Sequence, residues 1–292
     1  YLNCRLWLSA AAFALSQLSF PIGATLPLIL ILLDVYPLRR LSWPLSNARA
    51  IFKEKIPFLL ISLLSLGTAF SRIIVTHSVG TYPLAACLVM PWHAAAFCLN
   101  KTLLPLALRA GYQPPSGIQI GDPLIWVPAL AAATGTTLLF LNSRRWPAAT
   151  AAWAGYLILL LPVSGAIPSG PMAFILEDRY SYLPSLCLSL LAGAAALKLL
   201  RRAKPPPIAF VALILILALS ASLGALSWRQ VQIWHDSNRL WDHSLALGQD
   251  DATVHMGKGY ALISDGKPDQ ALPHLERAAS LTPERMPPFY AL

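Results

Sequence analysis

Apolar runs recur along this chain at about residues 6–19, 21–33, 56–75, 85–108, 123–141, 147–166, 180–200 and 206–226, and they restrict its fold more than any other feature. Several reach the roughly 20 residues that an α-helix needs to cross about 30 Å of hydrocarbon. Backbone in lipid must satisfy its own N–H and C=O groups, which a helix does within one segment. The chain is 56% hydrophobic and only 12% charged, against about 25% charged residues in soluble domains. The expected class is therefore all-α, a polytopic membrane helix bundle. The first two runs are short and separated by Phe20-Pro21, so a tilted, broken or incomplete pair is expected there.

The formal charge of +9 would suggest nucleic acid on a soluble surface, so its placement decides what it means. Residues 1–227 hold 16 Lys/Arg against 5 Asp/Glu, whereas residues 228–292 hold 6 against 8. The excess lies in loops between apolar runs: Arg39, Arg40, Arg49, Lys53 and Lys55; Arg144 and Arg145; Lys198, Arg201, Arg202 and Lys204. With Arg5 these twelve share one face, which the positive-inside rule makes cytoplasmic. They are read as topology signals, and no nucleic-acid partner is expected. Loops 76–84 and 109–122 then both fall outside, so the run at 85–108 must enter and leave on one side. Its Pro91, Pro105, His93, Asn100 and Lys101 predict an interrupted interfacial or re-entrant helix. The expected organisation is about seven spans plus this helix over 1–227, followed by an extracytoplasmic region over 228–292.

That last region has a period of its own. From Ala252 to Glu284, Gly259, Leu262, Ala271, Leu275, Ala278 and Pro283 occupy the small and apolar positions by which two antiparallel helices pack, with "SDGKPD" as the turn. This is the spacing of one tetratricopeptide repeat. Lys258 stands where an apolar residue is expected and His255 where an aromatic is. Ser237, Trp241 and Ser244, one period earlier, mark half a repeat. At least about three repeats are normally needed for stability. Because the chain starts at Tyr1 rather than Met and stops inside such an array, it is expected to be a fragment.

Cys4, Cys87, Cys98 and Cys187 lie in or beside apolar runs without metal or redox spacing and are read as small buried hydrophobes. His235, His243, His255 and His274 lack H-E-x-x-H or related spacing and are read as solvated helix-face residues, so no metal is expected. No P-loop, dinucleotide-binding turn or G-x-S-x-G elbow is present, and no cofactor is required by any motif.

Several stretches together resemble one family. "PIGATLPLILILLDVYPLRRL", "EKIPFLLISLLS", "LNKTLLPLAL" followed by Gly111-Tyr112, "LPVSGAI", "EDRYSYLP" and "SWRQVQIWHDSNRLWDHSLAL" follow the order and spacing of the transmembrane and tetratricopeptide-repeat O-mannosyltransferase-like proteins. The resemblance covers nearly the whole chain. It implies a C-type-fold membrane glycosyltransferase that takes a polyprenyl-phosphate sugar as donor and moves a hexose, mannose in the first instance, to a hydroxyl acceptor on the external face. The acceptor is a protein or glycan, and the repeats bind it or protein partners. The acidic base of such enzymes lies in a first external loop upstream of this chain, so the catalytic residue is unknown here. The membrane is a bacterial inner membrane or the endoplasmic reticulum membrane, with the repeats on its extracytoplasmic side.

On this topology Glu177, Asp178 and Arg179 stand at the external mouth of a span, where a lipid-linked sugar phosphate presents its head group. A guanidinium suits phosphate oxygens through its planar fork, and Tyr180 and Tyr182 offer hydroxyls and ring faces to a sugar. Lys101, Tyr112 and His93 are further donor-binding candidates. The alternative at this site is architectural: Asp178 and Arg179 neutralise each other and the tyrosines anchor the span. Two other functions compete, a polysaccharide ligase or polymerase and a non-enzymatic membrane anchor displaying a repeat scaffold.

Overall fold

The computed structural model describes residues 2–19, 21–41, 48–76, 84–109, 111–112, 123–166, 177–202 and 206–281. Among them it is all-helical, with no β-strand. The helices are α1 (Leu2–Ser19), α2 (Leu26–Val35), α3 (Ala48–Thr76), α4 (Leu84–Leu103), α5 (Pro123–Leu141), α6 (Pro147–Leu160), α7 (Tyr182–Arg202), α8 (Pro206–Ile233), α9 (Ser237–Ala246), α10 (Ala252–Ser264) and α11 (Pro268–Leu281). A 3₁₀ turn over Pro21–Thr25 separates α1 from α2, which is the break expected at Phe20-Pro21. Three helical stretches, Pro123–Leu141, Asp178–Arg202 and Pro207–Ile233, are long and apolar enough to cross a membrane. Shorter apolar helices cover Ile22–Val35 and Pro147–Val163.

The chain divides into two compact units, one formed by residues 1–103 and 114–197, the other by residues 104–113 and 198–292. In the first, Phe13 of α1 meets Phe58 of α3 with ring centroids 5.8 Å apart. Ala10 is buried with them and Leu6, Leu26, Leu30 and Ile61 pack around. α4 buries Ala86, Met90, Ala94 and Cys98, a stripe at every fourth residue that forms one helix face. The small side chains of that stripe let neighbouring helices come close. There the Tyr156 hydroxyl of α6 donates to the Ala95 carbonyl at 2.9 Å. Leucines such as Leu130, Leu190, Leu215 and Leu219 point outward instead, as lipid-facing side chains do.

Pro91 does not interrupt α4, which runs unbroken from Leu84 to Leu103. A proline removes one ladder hydrogen bond, and packing of the buried stripe on either side offsets that loss. The helix ends before Pro105, so residues 104–108 of the expected helix are not helical.

In the second unit, Asp236 caps α9 by accepting from the Asn238 and Arg239 N–H groups at 2.7 and 3.2 Å. Asp251 caps α10 through Val254 N–H at 3.0 Å, satisfying donors that a helix start leaves open. α10 and α11 form a hairpin whose turn uses Gly266 at φ +73. Gly259 lies so close to Leu275 that a Cβ would stand 2.6 Å from its Cδ2. Ala271, Ala278 and Leu262 are buried beside them. Pro283 lies outside the described residues. The sequence reading missed Gly257, where a Cβ would stand 2.3 Å from the Trp241 ring. Lys258, out of place by the period, reaches α9 instead, with Nζ 2.7 Å from Asp242 Oδ1 and 3.0 Å from Asn238 Oδ1.

Candidate functional site

Glu177 enters a 3₁₀ turn over Asp178–Ser181 that leads directly into α7. The turn is closed by Tyr180 N–H donating to the Glu177 carbonyl at 3.0 Å and by Ser181 Oγ donating to the Asp178 carbonyl at 2.7 Å. It packs on α4. Apolar helices thereby hold three adjacent ionisable residues at the mouth of a span.

The ion pair differs from the one expected. Arg179 Nε contacts Glu177 Oε2, and the guanidinium carbon lies 5.6 Å from the centre of the Tyr180 ring, within cation–π range. Asp178 Oδ1 is buried in the turn that packs on α4. Glu177 precedes the turn in an extended conformation, at φ -132 and ψ 144, and from there its carboxylate reaches the Arg179 guanidinium. Burial pushes the Glu177 carboxyl above its ordinary value, and the Arg179 guanidinium partly opposes this. Arg179 keeps 72% of its side-chain surface exposed, so its outer nitrogens face away from the protein.

The other candidates divide into groups. Lys101 lies one helical turn beyond Cys98 on α4, with Nζ 5.9 Å from the centre of the Phe97 ring. His93 is on the same helix, its ring stacked on Phe97 at 6.4 Å. These two share the first unit with Glu177, Asp178, Arg179 and Tyr180. Tyr182 opens α7 with 79% of its surface exposed. Tyr112 belongs to the second unit. Its hydroxyl accepts from Arg109 N–H at 3.1 Å and donates to the Ala107 carbonyl at 3.3 Å, which shapes the loop that follows α4.

That loop docks on the tail. Arg109 Nη2 donates to the Leu247 carbonyl at 2.8 Å, at the C-terminal end of α9. His243 Nε2 lies 3.2 Å from the Leu108 carbonyl, and Gln249 Nε2 donates to the Gly111 carbonyl at 2.9 Å. His243 is therefore not simply solvated. Neither is His255, whose side chain is 12% exposed and whose ring faces His274. His243, His255 and His274 thus serve as hydrogen-bonding links between elements.

A second charged cluster escaped the sequence reading. Asp34, with 2% of its side chain exposed, accepts from Arg40 Nη1 at 3.0 Å on Oδ1 and forms an ion pair with Lys55, whose Nζ lies 2.8 Å from Oδ2. Arg40 Nη2 also reaches both oxygens of Glu54 at 3.0 Å. Beside it a cavity of about 310 Å³ is lined by Leu6, Ser9, Leu26, Leu30, Glu54, Lys55 and Phe58. Arg40 and Lys55 are therefore structural partners as well as topology signals. The available clue was Asp34 itself, an acid inside an apolar run, which needs a named partner. Among the described residues, no three or more His, Cys, Asp or Glu side chains converge as a metal site. Comparison with protein-family models, with curated proteins and with solved structures found no match to this chain.

Proposed function

We propose that this chain is part of a membrane glycosyltransferase that takes a hexose from a polyprenyl-phosphate donor and passes it to a hydroxyl acceptor on the external face, with its tail a tetratricopeptide-repeat array that binds the acceptor or a protein partner. The observation that carries the reading is Arg179. Its guanidinium is exposed at the mouth of a span, is steadied by Glu177 and Tyr180, and is set on an apolar frame where a lipid carrier would lie. A phosphodiester linked to a sugar offers oxygens for a bidentate contact, and Lys101 on α4 supplies a second cation in the same unit. The resemblance in sequence is the only argument for mannose.

The test is binding of a photoreactive polyprenyl-phosphate hexose to the protein in nanodiscs. Arg179→Lys keeps the charge but loses the fork, and charge-assisted hydrogen bonds are worth roughly 1.5–3 kcal/mol, so crosslinking affinity should fall about tenfold or more. The Glu177 contact favours a second reading, in which a self-neutralised pair only anchors the span. Under that reading the double variant Glu177→Gln with Arg179→Gln would leave donor binding at the wild-type level, and that result would remove the donor-site proposal.

A further inference from the structure

His255 of α10 and His274 of α11 face one another across the helical hairpin, Nδ1 to Nδ1, at 3.0 Å. Their ring centroids are 5.2 Å apart. Two ring nitrogens at that distance need one hydrogen between them, so one imidazole donates and the other accepts. On its far side His255 Nε2 lies 2.8 Å from Asp250 Oδ1, and an acceptor there requires Nε2 to carry a proton. Arg277, one turn beyond His274, holds the same carboxylate through Nε at 3.2 Å and Nη2 at 2.5 Å. The chain of contacts runs from α11 through Asp250 and α10 back to α11.

Counting protons defines what this arrangement tolerates. With both rings neutral, His274 Nδ1–H donates to His255 Nδ1. With one ring charged, the link survives, because one Nδ1 still accepts. With both charged, two N–H groups and two cations oppose each other at 3.0 Å and the link is lost. We propose that this shared proton is an acid-sensitive latch across the α10–α11 hairpin, closed while at most one imidazole is charged and open when both are.

The charged surroundings set the direction. Lys258 of α10 and the cationic form of His255 oppose a charge on His274, Asp242 of α9 favours it, and burial, the largest influence, also opposes it. The folded hairpin therefore holds His274 below the ordinary imidazole value of 6.5. The native state binds fewer protons than the unfolded chain in that window, so stability is complete above about pH 6.5 and declines as pH falls through the lowered value. Asp250 is held down to about 2, first by Arg277 and then by His255. It stays ionised throughout that decline, so the response between pH 7.5 and 5 belongs to the imidazoles.

Hydrogen–deuterium exchange of the whole protein in nanodiscs, corrected for intrinsic rates, reads the latch directly. Peptides covering residues 252–264 and 268–281 should lose protection several-fold between pH 7.5 and 5, while peptides of α5 should not. Asparagine places an amide where Nδ1 stands and carries no titrating proton, so His274→Asn should flatten that dependence, as should His255→Asn. Equal hairpin protection in the wild type at both pH values would overturn the latch. So would an undiminished pH response in either folded asparagine variant.

Discussion

Asp34 shows how a single side chain decides what its neighbours must be. A carboxylate this deep among apolar residues is tolerated because Lys55 and Arg40 bind its two oxygens separately. Replacing one partner leaves a buried charge undercompensated, which typically costs 3–5 kcal/mol, whereas removing the pair together costs far less. Lys55→Met should therefore destabilise by about 3 kcal/mol, the low end of that range, because Arg40 remains on Oδ1. Asp34→Asn combined with Lys55→Met should recover most of the loss. Thermal unfolding in micelles, followed by reaction of buried Cys98 with a maleimide dye, measures both. Lys258 presents the opposite case. Its partner Asp242 keeps 60% of its side chain exposed, and water can replace the ammonium. Lys258→Leu should stay within about 0.5 kcal/mol of wild type, while Lys258→Ala, which removes the packed alkyl stem, should cost about 1 kcal/mol.

Helices and their packing faces were legible in the sequence to the extent that they depend on local pattern. Each apolar run carries a helix, although residues 104–108 of one of them are not helical, and Gly259 approaches Leu275 and Ala271 across the α10–α11 hairpin. What sequence could not supply was contact between distant segments. Nothing in "LPLALRAGY" announces that its carbonyls and Arg109 join the end of α9 more than 130 residues later, because a backbone carbonyl carries no residue-type signal. The Arg179 pairing was missed for a local reason. Adjacent Asp178 and Arg179 were natural partners on paper, and the 3₁₀ turn at this point pairs Arg179 with Glu177 instead. Packing distances separate the two glycines of α10. A Cβ on Gly257 would strike the rigid Trp241 ring at 2.3 Å, whereas one on Gly259 would meet Leu275 at Cδ2, 2.6 Å, and at Cγ, 2.8 Å, so that the whole leucine side chain must move. Overpacking costs about 1–3 kcal/mol and helix propensity returns up to about 1 kcal/mol. Gly257→Ala should thus destabilise the hairpin, and Gly259→Ala should do so by less, as judged by exchange protection of residues 252–264.

The hydrogen bonds between residues 104–112 and the tail also constrain the path of the whole chain. Both lie in one unit, so both must be on one side of any membrane the chain crosses. Between Tyr112 and Trp234 the chain passes through α5, α6, α7 and α8, and ends on one side require an even number of crossings. α5, α7 and α8 are long and apolar enough to span, and three crossings would leave the ends on opposite sides. The prediction is that α6 crosses as well. Its 14 residues, continued by a 3₁₀ turn of 3 residues, reach about 27 Å at about 1.5 Å per α-helical and about 2.0 Å per 3₁₀ residue. That falls somewhat short of a hydrocarbon core of about 30 Å, a mismatch that local thinning of the bilayer absorbs. With four crossings, the loop carrying Arg144 and Arg145 and the loop after α7 would fall on one face, the distribution that the positive-inside rule expects. In a version with the native cysteines replaced by alanine, single cysteines at Gly111 and Asp269 should react with an impermeant maleimide from the same side of sealed vesicles. A cysteine at Asn142 should react only from the other side. Labelling of Asn142 and Asp269 from one side would show that α6 does not cross, and the contact between the 104–112 segment and α9 would then have to be abandoned.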